Sequence, residues 1–202
     1  MNCDRIARWY RWLEYAAFGG ALRRRREAFL FDLPFEPKNV LVLGDGDGRF
    51  LQLFAALHAN ARIEAIDISE GMTALARRRV ASENVVFRIE DARTAEFAAS
   101  PYDIAIAHFF FDCFSEDELR ALLARIPARS WIISEFRNTR WSGLVLRALY
   151  FFFRLTTGLE ARVLPDHRKI LESLGFAIEK EQSSLGGLLV SEIWTRLTVA
   201  AQ

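Results

Sequence analysis

Short apolar segments alternate with amphipathic segments from residue 39 onwards. Continuous runs of Val, Ile and Leu predict buried strands, and apolar residues spaced three or four positions apart predict helices. The predicted strands are residues 39–43, 62–66, 85–89, 102–107 and 131–134, and the predicted helices between them are residues 48–58, 71–80 and 116–126. Strands that alternate with helices at this spacing form a parallel sheet with right-handed crossovers and helices on both faces.

The C-terminal part of the chain departs from this alternation. Helices are predicted over residues 144–153 and 167–174, and two strands follow at residues 176–181 and 188–197. Residues 183–187 are too short a connection for a crossover, so these two strands are expected to pair as an antiparallel hairpin. The predicted fold is α/β: a doubly wound, seven-stranded sheet, mostly parallel, with a C-terminal antiparallel hairpin and helices on both faces.

The segment before the sheet is predicted to be helical. Residues 4–31 contain no proline and carry apolar residues at the helical period, with a break at Gly19–Gly20. The whole chain is therefore expected to be one domain, with residues 1–36 as a helical cover and residues 37–202 as the α/β core. The arginines at positions 23–26 spread round most of a helix, and we expect a solvated face without a function.

The composition of the chain serves mainly to exclude classes of structure and function. The chain has 202 residues, of which 51% are hydrophobic, and 27 Lys and Arg residues against 26 Asp and Glu residues give a net charge of +1. This balance excludes a disordered chain and gives no general attraction to nucleic acid or to an anionic membrane. Cys3 and Cys113 lie far apart with no histidine near them in sequence, so neither a disulfide framework nor a metal site is predicted.

The apolar segments are too interrupted for export or membrane insertion. Charged residues alternate with aromatic ones near the start of the chain, which leaves no apolar region for a signal peptide. The most apolar stretch, residues 144–155, contains Arg147 and Arg154. It is also shorter than the roughly 18 to 20 residues that span a bilayer. The sequence therefore predicts a cytoplasmic protein without stable membrane insertion.

The strongest chemical signal is a glycine-rich turn after the first predicted strand. Gly44, Gly46 and Gly48 alternate with Asp45 and Asp47, and a predicted helix follows. Glycines at such a turn let the chain bend sharply and let its backbone approach a ligand. A nucleotide-like ligand is therefore expected, although a tight turn without a ligand would also favour glycine.

Two further carboxylates follow the next two predicted strands. Asp67 lies 23 residues beyond Gly44 and could accept hydrogen bonds from both hydroxyls of a ribose. Its alternative role as a helix cap is better filled by Ser69. Asp91 could accept a hydrogen bond from the amino group of adenine, or it could be an ordinary turn residue after a strand. Together, the glycine turn and Asp67 indicate an adenosine-type ligand.

Residues 39–197 resemble the class I S-adenosylmethionine-dependent methyltransferases, a Rossmann-like family. The resemblance rests on the glycine turn, the acidic ends of the second and third strands, and the terminal hairpin. It implies S-adenosylmethionine as cofactor, S-adenosylhomocysteine as product and a small molecule as methyl acceptor. The residues that it assigns to cofactor binding are Gly44, Asp45, Gly46, Gly48, Asp67, Ile68, Met72, Asp91, Ala92, His108 and Phe109.

One position departs from the family pattern. Members usually carry Asp or Glu two residues before the first glycine, where this chain has Val42. Another group is therefore needed to contact the methionine end of the cofactor. Asp45 and Asp47 could supply the negative charge, or the loop could be a solvent-facing turn. Asp45, between the two glycines nearest the strand, is the preferred candidate.

The acceptor side is expected where the fourth strand continues into His108 and the phenylalanines at positions 109–111. Ligands of open α/β sheets lie beyond the carboxyl ends of the strands, so these residues should flank the reacting methyl group. His108 could be a general base at the rim of the cavity, or its role could be purely structural. We expect Tyr10, Phe110 and Phe151 to contact an apolar or aromatic acceptor.

Two other functions remain open from the sequence. An NAD(P)-dependent oxidoreductase would more often show Gly-x-Gly-x-x-Gly, and here the third glycine comes one residue earlier. A catalytically inactive binding protein on the same fold would be consistent with Val42. Nucleic acid is not expected as a partner, and the sequence leaves open whether the protein forms a homodimer.

Overall fold

The computed structural model describes residues 20–137 and 164–197, which form a seven-stranded sheet. The strands are β1 (Asn39–Leu43), β2 (Arg62–Asp67), β3 (Val85–Ile89), β4 (Tyr102–His108), β5 (Ala128–Phe136), β6 (Phe176–Ser184) and β7 (Leu189–Arg196). Their order across the sheet is β3-β2-β1-β4-β5-β7-β6, with β1 to β5 parallel and β7 antiparallel to both β5 and β6. This arrangement confirms the predicted doubly wound sheet and its C-terminal antiparallel hairpin.

Helices pack on both faces of this sheet. Those in the described residues are α1 (Ala21–Arg26), α2 (Arg49–Leu57), α3 (Glu70–Arg79), α4 (Glu116–Arg125) and α5 (His167–Ser173). Phe50 and Phe54 of α2 belong to the apolar core on one face, and Leu119 of α4 and Leu171 of α5 belong to the core on the other. Each face of the sheet therefore buries its own apolar layer.

Two helix starts are fixed by local side-chain chemistry. The Ser69 hydroxyl accepts a hydrogen bond from the backbone N–H of Met72 at 3.2 Å, which is the cap predicted for α3. At the start of α4, Ser115 accepts from the backbone N–H of Glu118, and the Glu118 carboxylate accepts from that of Ser115. This reciprocal pair is a capping box.

Some boundaries differ from the prediction. Strand β5 is longer than residues 131–134, because Ser130 and Glu135 are buried with hydrogen-bond partners and so do not end the strand. The second N-terminal helix is shorter than expected. It ends at Arg26. Leu30, which belongs to the turn after this helix, is nevertheless buried.

The described N-terminal segment packs beside the carboxyl end of β5. Leu22 of α1 belongs to a buried cluster with Phe136. The backbone oxygen of Arg25 accepts hydrogen bonds from the hydroxyls of Ser134, at 2.9 Å, and Ser191, at 2.8 Å. Helix α1 therefore lies at the edge of the sheet where a ligand site is expected.

Two predicted helical segments, in residues 4–19 and 144–153, lie outside the described part of the chain. Between residues 20 and 137 and between 164 and 197, no helix combines the length and the apolar character needed to cross a bilayer. The single domain with a helical cover over residues 1–36 stays a prediction.

Candidate functional site

The glycine turn joins β1 to α2 at the carboxyl edge of the sheet. Gly44, Gly46 and Gly48 have φ angles of 63°, 65° and 78°, in the left-handed region that favours glycine. A Cβ atom at Gly44 would overlap the ring of Phe110, and one at Gly48 would lie 2.7 Å from the Cβ atom of Ala76 in α3. A Cβ atom at Gly46 would meet nothing within 4 Å. Close packing therefore requires two of these glycines, and Gly46 borders open space.

Asp67, at the end of β2, is hydrogen-bonded to the glycine turn. One carboxylate oxygen accepts from the backbone N–H of Gly46 at 3.2 Å, and the other accepts from that of Ser69 at 2.8 Å. Ile68 is 52% exposed beside it, and Met72 lies in the first turn of α3. The structure thus brings together the glycine turn, the acidic strand end and the start of the next helix. The role of Asp67 toward a ribose stays a prediction.

Asp91 follows β3 at the same edge of the sheet and forms a turn. Its Oδ1 atom accepts a hydrogen bond from the backbone N–H of Arg93 at 2.9 Å and pairs with the Arg93 guanidinium at 3.3 Å. Ala92 is buried in the apolar core. These contacts agree with the alternative interpretation of Asp91 as a turn residue, and its role toward adenine remains a prediction.

The two aspartates inside the glycine turn differ in their partners. Asp45 is partly buried and accepts a hydrogen bond from the backbone N–H of Leu51 at 3.1 Å, and burial raises its pKa to about 7. Asp47 instead forms ion pairs with Arg49 at 3.0 Å and Arg79 at 2.9 Å. No cation of the described segments forms an ion pair with Asp45, which supports it as the preferred candidate over Asp47.

His108 lies below the surface and not at the rim of a cavity. Only 5% of it is exposed, its Nδ1 atom lies 2.9 Å from the Ser134 hydroxyl, and its ring packs edge-on against Phe50. Burial, helped by the positive charge of Arg26, lowers the pKa of His108 to about 3. The imidazole is therefore neutral and poorly basic at neutral pH. This geometry corrects the expected rim position and favours a structural role over that of a general base.

The phenylalanines after β4 lie between the N-terminal segment and the glycine turn. Phe109 has a φ angle of 53°, and its ring packs at a tilt against that of Phe136 with 5.2 Å between the centroids. The Arg26 guanidinium lies 5.3 Å from the centroid of the Phe109 ring. Phe110 lies against Gly44 on the other side. The expectation that all four arginines at 23–26 form a plain solvated face is wrong for Arg26, and also for Arg25, whose guanidinium has buried Nε and Nη1 atoms.

The predicted acceptor contacts are only partly within the described structure. Phe110 is partly exposed at the carboxyl edge, next to the glycine turn. Tyr10 and Phe151 lie outside the described residues, so their roles stay predictions.

Two carboxylates at this edge were missed by sequence reasoning. Glu135, the next-to-last residue of β5, is 1% exposed and accepts hydrogen bonds from the backbone N–H groups of Phe110 and Phe111. Asp112 lies in the short 3₁₀ helix after β4, and the pKa of Glu135 is raised mainly by burial and also by the charge of Asp112. A glutamate at the end of an apolar strand was a signal that could have been followed, since the sequence shows it directly.

The structure contains the features on which the resemblance to class I methyltransferases rests. The first strand enters a glycine turn that is hydrogen-bonded to the acidic end of the second strand, and the sheet ends in an antiparallel hairpin.

Comparison of the sequence with known proteins points to the same class. Residues 40–129 match the family model of the methyltransferase domain. Malonyl-[acyl-carrier protein] O-methyltransferase of Acetivibrio thermocellus is 31% identical over 105 residues, which are 50% of this chain and 37% of that protein. The chain thus spans well under half the length of this curated relative.

Solved structures share the fold. Magnesium protoporphyrin IX methyltransferase from Synechocystis PCC 6803, with bound S-adenosylhomocysteine, has a TM-score of 0.66 and 21% identity over 90% of this chain and 84% of its own. Human N-acetylserotonin methyltransferase, in complex with S-adenosylmethionine, has a TM-score of 0.62 and 17% identity over 92% of this chain and 58% of its own. Residues 40–129 are thus similar to the methyltransferase domain, and these solved methyltransferase structures share the fold of the chain.

Proposed function

We propose that this protein transfers the methyl group of S-adenosylmethionine to a small, apolar or aromatic acceptor. The observation that carries the proposal is the hydrogen bond from Gly46 to Asp67, which sets the acidic end of β2 beside open space at the glycine turn. A carboxylate beside such a space is suited to a ribose. The family match supports the same cofactor.

The residues present are compatible with this cofactor. Gly46 leaves room for a ligand, Asp67 would hold the ribose hydroxyls, Asp91 the adenine, and Asp45 the cationic methionine end. S-adenosylmethionine, when bound, supplies a methyl group on a positively charged sulfur. The contribution of the chain is to hold this methyl group and the acceptor in line. Such alignment is worth about 7 to 11 kcal/mol in intramolecular reactions.

The proposed acceptor class rests on the aromatic residues after β4. Phe109 and Phe110 are partly exposed at the carboxyl edge of the sheet. Apolar burial stabilises a complex by about 25 cal/mol per Å², so such a surface favours a ring over a polar chain. The net charge of +1 gives no support to a nucleic acid acceptor. The cytoplasmic location stays a prediction from the sequence.

The proposal predicts a specific set of ligands. S-adenosylmethionine and S-adenosylhomocysteine should raise the melting temperature of the protein, because both carry the ribose and adenine that Asp67 and Asp91 would bind. NAD should leave the melting temperature unchanged. Thermal denaturation with each ligand in turn checks this, and stabilisation by NAD alone would support an oxidoreductase instead.

The raised pKa of Asp45 predicts a pH-dependent preference between cofactor and product. Because the pKa is about 7, Asp45 is mostly neutral below that pH and mostly charged above it. Only the cofactor carries the positive sulfur, so its affinity relative to the product should rise about threefold to tenfold from about pH 6 to pH 8. Calorimetric titration with both ligands measures this ratio.

Asp45→Asn provides the matched control, since asparagine retains an oxygen that can accept from Leu51. The ratio of the two affinities should become independent of pH in this variant. An unchanged pH dependence would assign the effect to another group.

A further inference from the structure

The carboxyl ends of β4 and β5 carry two carboxylates that the proposed function does not use. His108 of β4 is paired in register with Ser134 of β5, so Glu135 lies one residue beyond this pair. Asp112 lies in the 3₁₀ helix Phe111–Cys113 that follows β4. Both carboxylates are therefore at the edge of the sheet where a methyl acceptor is expected.

Glu135 uses only one of its carboxylate oxygens for structure. Its Oε1 atom accepts hydrogen bonds from the backbone N–H groups of Phe110, at 2.8 Å, and Phe111, at 2.7 Å. Its Oε2 atom is buried and has no hydrogen-bond partner among the described residues. Buried carboxylate oxygens are rarely left without a partner, so Oε2 is available for a proton or for a ligand.

A second buried glutamate shows what a purely structural carboxylate looks like in this chain. Glu192 of β7 is fully buried, and its Oε2 atom is bonded to His167 at 3.0 Å and to Trp194 at 2.7 Å. Its Oε1 atom accepts from Arg168 at 2.8 Å, and these partners lower the pKa of Glu192. Glu135 has no comparable cation in the described segments.

A second acid follows directly after a residue that Glu135 contacts, since Asp112 comes after Phe111, whose backbone N–H donates to Glu135. Burial and the negative charge of Asp112 both raise the pKa of Glu135. Asp112 is partly exposed, and burial raises its pKa as well. Two nearby carboxyl groups do not both ionise easily, so the pair tends to retain a proton between its members. Asp112 is the member nearer to solvent, and Glu135 lies behind it.

This pair is linked to the cofactor side of the site. The backbone that Glu135 holds belongs to Phe110, and the ring of Phe110 lies against Gly44 in the glycine turn. A single residue, Phe110, therefore connects the pair to the proposed cofactor site.

We propose that Asp112 and Glu135 form a proton-accepting carboxyl pair, and that the methyl acceptor is a protic group, a hydroxyl or an amine on an apolar ring, and not a carboxylate. In the reaction, a lone pair on the acceptor oxygen or nitrogen forms the bond to the methyl carbon. The carbon–sulfur bond breaks, and its electron pair stays on sulfur. The acceptor proton passes to the pair and then to solvent.

A carboxylate acceptor fits this site poorly. Its negative charge would face two acids in a buried environment, where like charges repel more strongly than in water. It would also have no proton to transfer. This inference rests on the proposed function, because it concerns the second substrate of the same reaction.

Three probes of similar size separate these acceptor classes: phenol, benzylamine and sodium benzoate. Their binding to the protein saturated with S-adenosylhomocysteine is measured by calorimetry. Charge-assisted hydrogen bonds should make phenol or benzylamine bind at least about tenfold more tightly than benzoate. Equal or tighter binding of benzoate, or no binding of any probe, would overturn the proposed pair.

Variants distinguish a chemical role of the pair from a structural one. Glu135→Gln keeps an oxygen for the backbone of Phe110 and Phe111, and Asp112→Asn removes only the second charge. In each variant, phenol or benzylamine should bind less than about threefold more tightly than benzoate. Glu116→Gln removes a negative charge from the exposed surface of α4 and is the control that should keep the preference.

Two failures remain distinguishable in this design. If S-adenosylhomocysteine itself does not bind, the proposed function is wrong, and the inference is lost with it. If S-adenosylhomocysteine binds and the two variants retain the full preference, the acceptor pair alone is wrong. Melting temperatures of the variants without ligand show that each one folds.

Discussion

Replacing Gly48 with alanine is expected to lower the free energy of unfolding by about 2 to 5 kcal/mol. Gly48 has a φ angle of 78°, and an added Cβ atom would lie 2.7 Å from the Cβ atom of Ala76 and 2.8 Å from its Cα atom. The left-handed conformation costs alanine about 1 to 2 kcal/mol, and overpacking adds about 1 to 3 kcal/mol. Because the Cα atom belongs to the backbone of α3, the contact cannot be relieved by a change of rotamer. Urea denaturation measures the loss.

Gly46→Ala is the matched control for this effect. Gly46 has nearly the same backbone conformation, with a φ angle of 65°, but an added Cβ atom would meet nothing within 4 Å. Only the conformational cost of about 1 to 2 kcal/mol should therefore appear. For a domain of this size, each kcal/mol corresponds to about 2 to 4 °C in melting temperature. Equal losses in the two variants would contradict the close approach of α2 and α3 at Gly48.

The fold could be predicted because its signals are local. Each parallel strand is a short apolar run between segments of helical period, and short-range patterns of this kind are sufficient to fix the fold class. The hairpin was predictable from the length of its connection alone, since residues 183–187 are too few to cross over the sheet. The cap of α3 by Ser69 depends on only four neighbouring residues.

The boundaries of β5 were harder to predict for a physical reason. The sequence rule ends a buried strand at a polar residue, but polar residues can be buried when their hydrogen bonds are satisfied. Ser130 lies 3.4 Å from the hydroxyl of Thr195, and Glu135 accepts from the backbone N–H groups of Phe110 and Phe111. These partners are distant in sequence, so no local pattern reveals them.

In the candidate site, too, the features that follow from local sequence could be predicted, and those that depend on tertiary packing could not. The contact of the glycine turn with Asp67 follows from strand order, because the ends of β1 and β2 are neighbours in any sheet of this type. The position of Arg26 above Phe109 depends on how α1 packs against the sheet. A run of four arginines gives no indication of which of them face inward, as Arg25 and Arg26 do here. The burial of His108 also depends on tertiary packing, because its ring is covered by Phe50 of a different element, the helix α2.

Asp67→Ala is expected to weaken the binding of S-adenosylhomocysteine by about tenfold to a hundredfold. A hydrogen bond to a charged group contributes about 1.5 to 3 kcal/mol, and the proposed ribose contact includes at least one such bond. The product is the right ligand for this measurement, because it carries the same ribose as the cofactor without the positive charge on sulfur. Calorimetric titration gives the dissociation constant directly.

In Asp67→Ala, weaker binding could also come from a disturbed glycine turn, and this cause must be separated from the lost ribose contact. Asp67 also holds the backbone of Gly46 and of Ser69, so its loss could disturb the glycine turn as well as the ribose contact. Asp91→Ala is the matched control, since it removes a carboxylate from the next strand end, where only one base contact is proposed, and its effect on affinity should be smaller. The melting temperature of Asp67→Ala without ligand reports on the turn alone. A variant that folds normally and binds the product as tightly as the original protein would show that Asp67 is not part of the cofactor site.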